Sequence, residues 1–487
     1  MFNLKLITRN VIFQIAFLIL VALIAHAIVL KFIFPGYYSP LYPYHSDFYL
    51  SPAYANSPDI SYLYLLGKSR SMNLIFLKLI GHFGIFGSTA VVIFLVCVNV
   101  ALSAFLVKQL LKITFNIFFT LTFVGYCYLV FSQPYFYTSY SQDVGAQLSY
   151  FFLLFGACLF YFLINRSVFA AAGLLLLCCI LGFLSKETYA LSACFLAFIW
   201  FFYYRKIALL KAALPFIAVT ISLVIIILIN IHIKSIFVNL DSPADTPYKI
   251  SFSPRVIYKE YRSYLLDAIN SANCMLILLI ALLISQYKGT QKQQFIFILF
   301  GCVFAMLLSI LPNAILPNHH VSGYSFNGSY ILYLPLLLIP IFNAEKIVSK
   351  IAVILIFGAC LGSPLLNSVK YKSNDWMLIQ ENIERNLLDT LKPLILNSKQ
   401  SSIPIRVLVV GITFPFSPFD HPECLRTFDH GEYFNFDVVK VDPPYPNQRK
   451  DLVQFIIPCD TLIKKYDQKW VFNSDGKMIE QKFFINK

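Results

Sequence analysis

The chain has 487 residues, of which 58% are hydrophobic, 17% aromatic and only 13% charged, and its formal net charge is +14. A soluble globular domain carries about 25% charged residues, so this composition excludes an ordinary soluble protein and indicates a polytopic membrane protein. Met1–Leu361 holds nine acidic and 22 basic residues and Gly362–Lys487 holds fifteen and sixteen, so the membrane part is +13 and the tail +1, which together give +14. The basic excess suits anionic lipid head groups or a phosphate-bearing substrate, and the near-neutral tail offers nothing to nucleic acid.

In chain order, Val11–Phe34 is an apolar run preceded by Lys5 and Arg9. Ala25-His26-Ala27 imitates a signal-peptidase site. The run continues past it and many apolar segments follow, which favours an uncleaved first helix with its N-terminus in the cytoplasm. Pro35–Arg70 is a polar loop rich in proline and tyrosine, and Met72–Phe83 is a short amphipathic piece suited to the membrane surface. Further apolar runs are Ile85–Val107, Ile113–Phe131, Val144–Ile164, Val168–Leu184, Tyr189–Tyr204, Ala213–Ile233, Ala272–Ile284, Phe295–Ile310, Tyr330–Phe342 and Ile351–Leu361. With the first helix they predict about eleven spans, at roughly 20 residues for a full crossing. The shorter runs must extend into polar flanks or tilt little.

Threading from a cytoplasmic start puts Lys108/Lys112, Arg166, Arg205/Lys206/Lys211, Lys288/Lys292 and Lys346/Lys350 inside. The loop Lys234–Ser271 carries five basic residues on the outside, a departure that long loops tolerate. Eight of the nine carboxylates of the membrane part then lie outside, and only Glu345 inside. Any chemistry is expected on the periplasmic or lumenal face.

Gly362–Lys487 reads as a small soluble α/β domain, also outside. Asp375–Leu391 has helical spacing, and Ile405–Val410 and Leu452–Ile457 read as buried strands. Lys469–Phe472 and Met478–Phe484 flank the turn sequence Asn473-Ser474-Asp475-Gly476 and predict a hairpin. Cys424 and Cys459 are the only cysteines of the tail; an oxidising compartment would permit a disulfide, and spacing does not decide it. The other nine lie in or beside apolar runs, where cysteine acts as a small hydrophobe.

Three acidic spots fall at the outer ends of early spans. Asp47 lies in Tyr44-His45-Ser46-Asp47-Phe48-Tyr49, within the first external loop. Asp143 lies in Tyr140-Ser141-Gln142-Asp143-Val144, at the start of the fourth span. Lys186-Glu187 forms the short link between the fifth and sixth spans. A link that short stays at the bilayer, so its charges need a polar cavity, each other, or partners on neighbouring helices. Asp143 taken alone has an alternative role as a helix cap. The three together, with the carboxylates gathered on one face, favour a functional cavity.

An acidic residue in the first external loop, the Tyr140-x-Gln142-Asp143 stretch and the Leu184-Ser185-Lys186-Glu187 link resemble the GT-C glycosyltransferases. The protein O-mannosyltransferase-like and aminoarabinose-transferase-like branch, with its many bacterial members, is the most similar. The resemblance covers residues 1–190; beyond them only the general layout agrees. It implies a GT-C-like membrane domain over residues 1–361, with its first external loop at 35–84 and the soluble tail at 362–487. The implied enzyme sits in a bacterial inner membrane. It moves a sugar from a polyprenyl-phosphate carrier to a lipid, glycan or protein acceptor on the periplasmic side, with inversion.

On this resemblance Asp47 is the base that deprotonates the acceptor hydroxyl. Lys186 stabilises the departing phosphate, with Arg70 and Lys68 next in order. Arg255 and Arg262 are further candidates, whose alternative is a solvated or head-group-facing charge. Asp143 and Glu187 orient substrate or hold the basic residues. Relatives often carry an arginine two residues after the acidic position of the fourth-span motif, and here that residue is Gly145.

His45 either tunes Asp47, binds a divalent metal, or packs within an aromatic loop, and no cofactor is firmly implied. His319-His320 is an outer-loop candidate for lining the cavity, and adjacent histidines alone do not make a metal site. Tyr37, Tyr38, Tyr42, Tyr44, Tyr49 and Tyr54 fit an interfacial aromatic belt better than sugar stacking. A polysaccharide polymerase or ligase using lipid-diphosphate donors is the first alternative. It is disfavoured because Lys234–Ser271 has two arginines and no histidine. A transporter or flippase predicts charged or helix-breaking residues at mid-membrane, and the apolar runs contain few, with Pro215 near an end.

Overall fold

The computed structural model describes residues 11–28, 71–111, 144–186, 208–236, 251–268, 405–410, 436–441, 468–472 and 477–483, with separate positions at 115, 119–121, 123–124, 193, 197, 201, 314–315, 386, 390 and 393. The chain divides into two compact units, Met1–Ile33 with Asp59–Leu74 and Val92–Lys370, and Phe34–Pro58 with Ile75–Val91 and Tyr371–Lys487.

Helix α1 (Val11–Ile28) is apolar almost throughout, so its few polar residues decide which side faces the protein. Gln14, Leu18, Ala22 and His26 form a buried stripe, while Ile12, Phe13, Leu20, Ile24 and Ile28 are exposed. A repeat of four keeps residues on one helix face. The helix runs unbroken through Ala25-His26-Ala27. Helix α2 (Ser71–Gly81) buries Asn73, Leu77 and Ile80 and exposes Ile75 and Leu79. A short turn, in which the Phe83 N–H donates to the Ile80 carbonyl at 3.0 Å, leads to α3 (Gly84–Leu111).

Helices α4 (Val144–Leu163) and α5 (Val168–Ser185) form an antiparallel hairpin. Its turn is closed by the Ser167 N–H donating to Leu163 O at 2.7 Å, and the Ser167 hydroxyl caps α5 by accepting from the Ala170 N–H at 3.3 Å. The two helices lie close because small residues line their contact. A Cβ added at Gly156 would meet the Cys178 Cβ at 2.7 Å, and one added at Gly182 would meet the Ser149 carbonyl oxygen at 3.3 Å. Small residues at such contacts are the usual device of helices packed in lipid, where no hydrophobic force drives them together. Helix α6 (Leu209–Ile236) packs against α5; its Ser222 hydroxyl donates to Ala218 O at 2.7 Å and reaches Leu176 O at 3.5 Å.

Val11–Ile28, Val144–Leu163, Val168–Ser185 and Leu209–Ile229 are each long and apolar enough to cross a membrane, and α3 carries the further apolar stretch Ala90–Leu106. Their outward faces, with Phe169, Leu177, Ile221, Ile227 and Leu228 exposed, suit lipid. The chain is an α-helical membrane protein. The apolar runs Val144–Ile164 and Val168–Leu184 match α4 and α5 to within one residue at each end. Ile85–Val107 and Ala213–Ile233 fall inside the longer α3 and α6. The helices outrun their apolar stretches because a backbone left unpaired near lipid is costly, so the ladder continues into polar residues. Within Ile113–Phe131 and Tyr189–Tyr204, residues 119–121, 123–124, 193, 197 and 201 are helical. The four predicted spans from Ala272 to Leu361 lie outside the described residues.

Polar contacts gather at one end of this bundle. Lys108 Nζ donates to Gln14 Oε1 at 2.7 Å, and burial lowers its pKa from the usual lysine value. Lys211 Nζ donates to Asn165 Oδ1 at 3.0 Å, and the Tyr161 hydroxyl donates to Gln109 Oε1 at 3.4 Å. These bonds set Lys108, Lys211 and the turn that holds Arg166 at a common end of the helices.

The second unit contains a four-stranded sheet of order β2-β1-β3-β4, built from β1 (Ile405–Val410), β2 (Phe436–Val441), β3 (Gln468–Phe472) and β4 (Met478–Phe483). β1 pairs in parallel with both β2 and β3, and β3 pairs antiparallel with β4, with a register shift at Val471/Phe472. β1 and the β3–β4 pair fall where the sequence predicts them. Strand β2 is a missed strand, and Leu452–Ile457 lies outside the described residues. In the predicted helix Asp375–Leu391, Asn386 and Thr390 are helical, the Thr390 hydroxyl donating to Asn386 O at 2.7 Å.

The hairpin contact is testable with two glycines. Gly156→Leu should destabilise the protein by about 1–3 kcal/mol through overpacking against Cys178. Gly173→Ala, whose Cβ meets nothing within 4 Å, should leave thermal unfolding in detergent unchanged or raise it slightly.

Candidate functional site

Because α4 starts where α5 ends, their antiparallel packing sets the N-terminus of one against the C-terminus of the other. Position 145 is the point of contact. A Cβ added at Gly145 would lie 3.0 Å from the Ser185 carbonyl oxygen, 3.1 Å from Asn73 Nδ2 and 3.2 Å from Asn73 Cγ. Three segments far apart in sequence therefore converge here: α2 through Asn73, the first turn of α4, and the last residue of α5. Asn73, Gly145, Ser185 and Lys186 are all buried.

Lys186 caps the C-terminus of α5. Its backbone is extended (φ −158°, ψ 114°) and its N–H donates to Gly182 O at 3.1 Å. Only 6% of the residue is exposed. A basic side chain beside a helix C-terminus meets the negative end of the helix dipole. The first turn of α4, across Gly145, presents backbone N–H groups that have no acceptor within the helix. A lysine beside a helix N-terminus is an arrangement suited to holding an anion such as a phosphate.

Asn73 is the residue that sequence reasoning missed. It is 8% exposed, and its Oδ1 is buried without a hydrogen-bond partner. Leaving a buried acceptor unpaired costs about 1–3 kcal/mol. Its place in the sequence carried a trace of this: Asn73 lies four residues before Leu77 and seven before Ile80, so it falls on the buried face of α2.

Of the other residues singled out from sequence, Arg255 and Arg262 lie on α7 (Pro254–Ala268), both exposed. They share a face with Tyr258 and Lys259, also exposed, while Glu260 is buried. This placement suits the solvated or head-group-facing alternative. The Ser251 N–H, just before α7, donates to Ile315 O at 2.8 Å. His45, Asp47, Lys68, Arg70, Asp143 and Glu187 lie outside the described residues, as do His319-His320 and the pair Cys424 and Cys459. Among the described residues no three His, Cys, Asp or Glu side chains cluster as a metal site.

A second polar cluster joins α3 to α4. Asn99 Nδ2 donates both to the Gln147 carbonyl oxygen at 2.9 Å and to Gln147 Oε1 at 3.0 Å. Asn99 Oδ1 and the Ser103 hydroxyl, one turn away on α3, are buried without partners. No family model matches the chain, and no curated protein or solved structure matches it either.

The convergence at position 145 predicts that even the smallest side chain is costly. Gly145→Ala must push back either the Ser185 carbonyl or Asn73, and should lower stability by about 1 kcal/mol. Gly145→Arg should lower it further. Thermal unfolding of the purified variants checks both.

Proposed function

We propose that this protein is a membrane glycosyltransferase of GT-C type, moving a sugar from a polyprenyl-phosphate carrier to a hydroxyl on a lipid, glycan or protein. The observation that carries the reading is the buried Lys186 where α5 ends against the start of α4. A lysine buried at the end of an apolar helix is a functional residue by default. The Tyr140-x-Gln142-Asp143 and Leu184-Ser185-Lys186-Glu187 stretches that flank this junction are those that resemble the family.

In the proposed reaction Asp47 takes the proton of the acceptor hydroxyl as its oxygen attacks the anomeric carbon. The bond between that carbon and the carrier phosphate breaks on the opposite face, inverting the centre. The phosphate leaves with the bonding electron pair, and Lys186, with Arg70 and Lys68, stabilises its charge. Asp143 and Glu187 orient substrate or hold these basic side chains in place. The active site and the soluble tail face the periplasm of a bacterial inner membrane, with the N-terminus in the cytoplasm. About eleven spans make up the membrane domain.

The test is transfer by the purified protein in lipid nanodiscs, offered a panel of polyprenyl-phosphate sugars. Asp47→Asn should fold as wild type and lose about 10²–10⁴-fold in rate. Lys186→Met should lose about 10²-fold. Wild-type turnover in a folded Asp47→Asn variant would remove that residue as the base, and turnover of no donor by the wild type would count against the enzyme class.

A further inference from the structure

The unpaired amide of Asn73 is not absorbed by the proposed reaction as it stands. Its amide nitrogen lies against Gly145, whose other near neighbour is the Ser185 carbonyl, one residue from Lys186. It is more than nine-tenths buried, its Oδ1 has no partner, and it sits on a helix whose neighbouring residues Leu77 and Ile80 are buried hydrophobes. Buried polar atoms without partners are rare in folded proteins, and each calls for a group that completes it.

We infer that Asn73 is a substrate-binding residue that pairs with a hydroxyl of the donor sugar. The missing partner is a donor, because Oδ1 only accepts. A hydroxyl both donates and accepts, so it satisfies the amide in either orientation. The source follows from position and rests on the reading of Lys186 as the phosphate-binding residue. The sugar is bonded directly to the carrier phosphate, so a phosphate at Lys186 brings sugar hydroxyls to the immediate neighbourhood of Asn73. The acceptor hydroxyl belongs instead to the base, Asp47. At this point α2 meets α4 at Asn73, where glycine leaves room for the amide and an alanine would make it give by a few tenths of an ångström.

The test is binding of two probes to the full chain in nanodiscs: a polyprenyl phosphate and the same carrier bearing its sugar. For the wild type the sugar-bearing probe should bind more tightly. Asn73→Leu should reduce that margin by about tenfold, the worth of one hydrogen bond, while binding of the bare carrier stays as in the wild type. The thermal midpoint of the ligand-free Asn73→Leu protein should equal or exceed that of the wild type, since an unpaired amide has been removed. Asn73→Ala, measured in parallel, covers the case in which leucine does not fit. An unchanged margin in either folded variant overturns the assignment while leaving the glycosyltransferase reading intact. A fall in midpoint with the margin kept assigns Asn73 to structure alone, and overturns it equally. Failure of the wild type to bind either probe overturns the reading of Lys186, and this inference with it.

Discussion

The close approach of α4 and α5 is the contact on which the rest of the described membrane part depends. In lipid, two apolar helices gain nothing from hiding hydrophobic surface, so they associate only where their surfaces fit and their polar groups meet. Here the fit comes from missing side chains. Gly145, Gly156 and Gly182 lie along one seam, and each would bring an added Cβ within 3.3 Å of the opposite helix or of Asn73. The hairpin turn at Ser167 fixes the register at one end of this seam. At the other end the register delivers the start of α4 to the end of α5. The junction at that end is a consequence of packing several turns away.

That consequence gives the junction its electrical character. A helix N-terminus and a helix C-terminus side by side set opposite partial charges next to each other. Lys186 caps the C-terminus of α5, and the first-turn N–H groups of α4 have no acceptor within their own helix. The opposite end of the bundle is built differently. There Lys108 and Lys211 are each tied to a neutral amide, Gln14 and Asn165, at 2.7 and 3.0 Å. Those lysines lie at the ends of helices joined through their side chains, whereas Lys186 is buried at the C-terminus of α5, one residue from the Ser185 carbonyl that faces Gly145. The contrast is the reason to separate Lys186 from the other basic residues of the membrane part.

Much of this was legible in the sequence because membrane helices are written in long apolar runs. α4 and α5 could be bounded to within a residue from composition alone, and Lys186 stood out because a charge in so short a link has nowhere to go. The strands β1, β3 and β4 were legible for a related reason: a run such as Ile405-Arg406-Val407-Leu408-Val409-Val410 is too short and too branched for a helix. β2, Phe436-Asp437-Val438-Val439-Lys440-Val441, was missed because it carries two charged residues, and its place beside β1 is set by a parallel pairing with a partner some thirty residues away. Tertiary neighbours of that kind leave no local trace. Asn73 was missed for the same reason: a lone asparagine in an amphipathic segment is unremarkable until Gly145 and Ser185 are placed around it.

Gly145 shows how a departure from an expected pattern acquires a physical meaning. The resemblance drawn from the sequence leads one to expect an arginine at that place, and glycine stands there instead. Here the Ser185 carbonyl and Asn73 occupy the space that a Cβ would need, at 3.0 and 3.1 Å. A side chain could enter only if Asn73 or the Ser185 carbonyl gave way by a few tenths of an ångström, so the glycine and the position of Asn73 are two aspects of one arrangement. On the proposed reading, the positive charge that an arginine supplies elsewhere must then come from residues that do not need this space. Lys186 meets that condition because it enters from the end of α5, and the α4 backbone meets it because backbone N–H groups need no side chain. On that reading an amide stands where a guanidinium was expected, beside the phosphate. An amide adds no charge, but it does add an acceptor, and an acceptor is what a sugar hydroxyl requires and a guanidinium cannot offer.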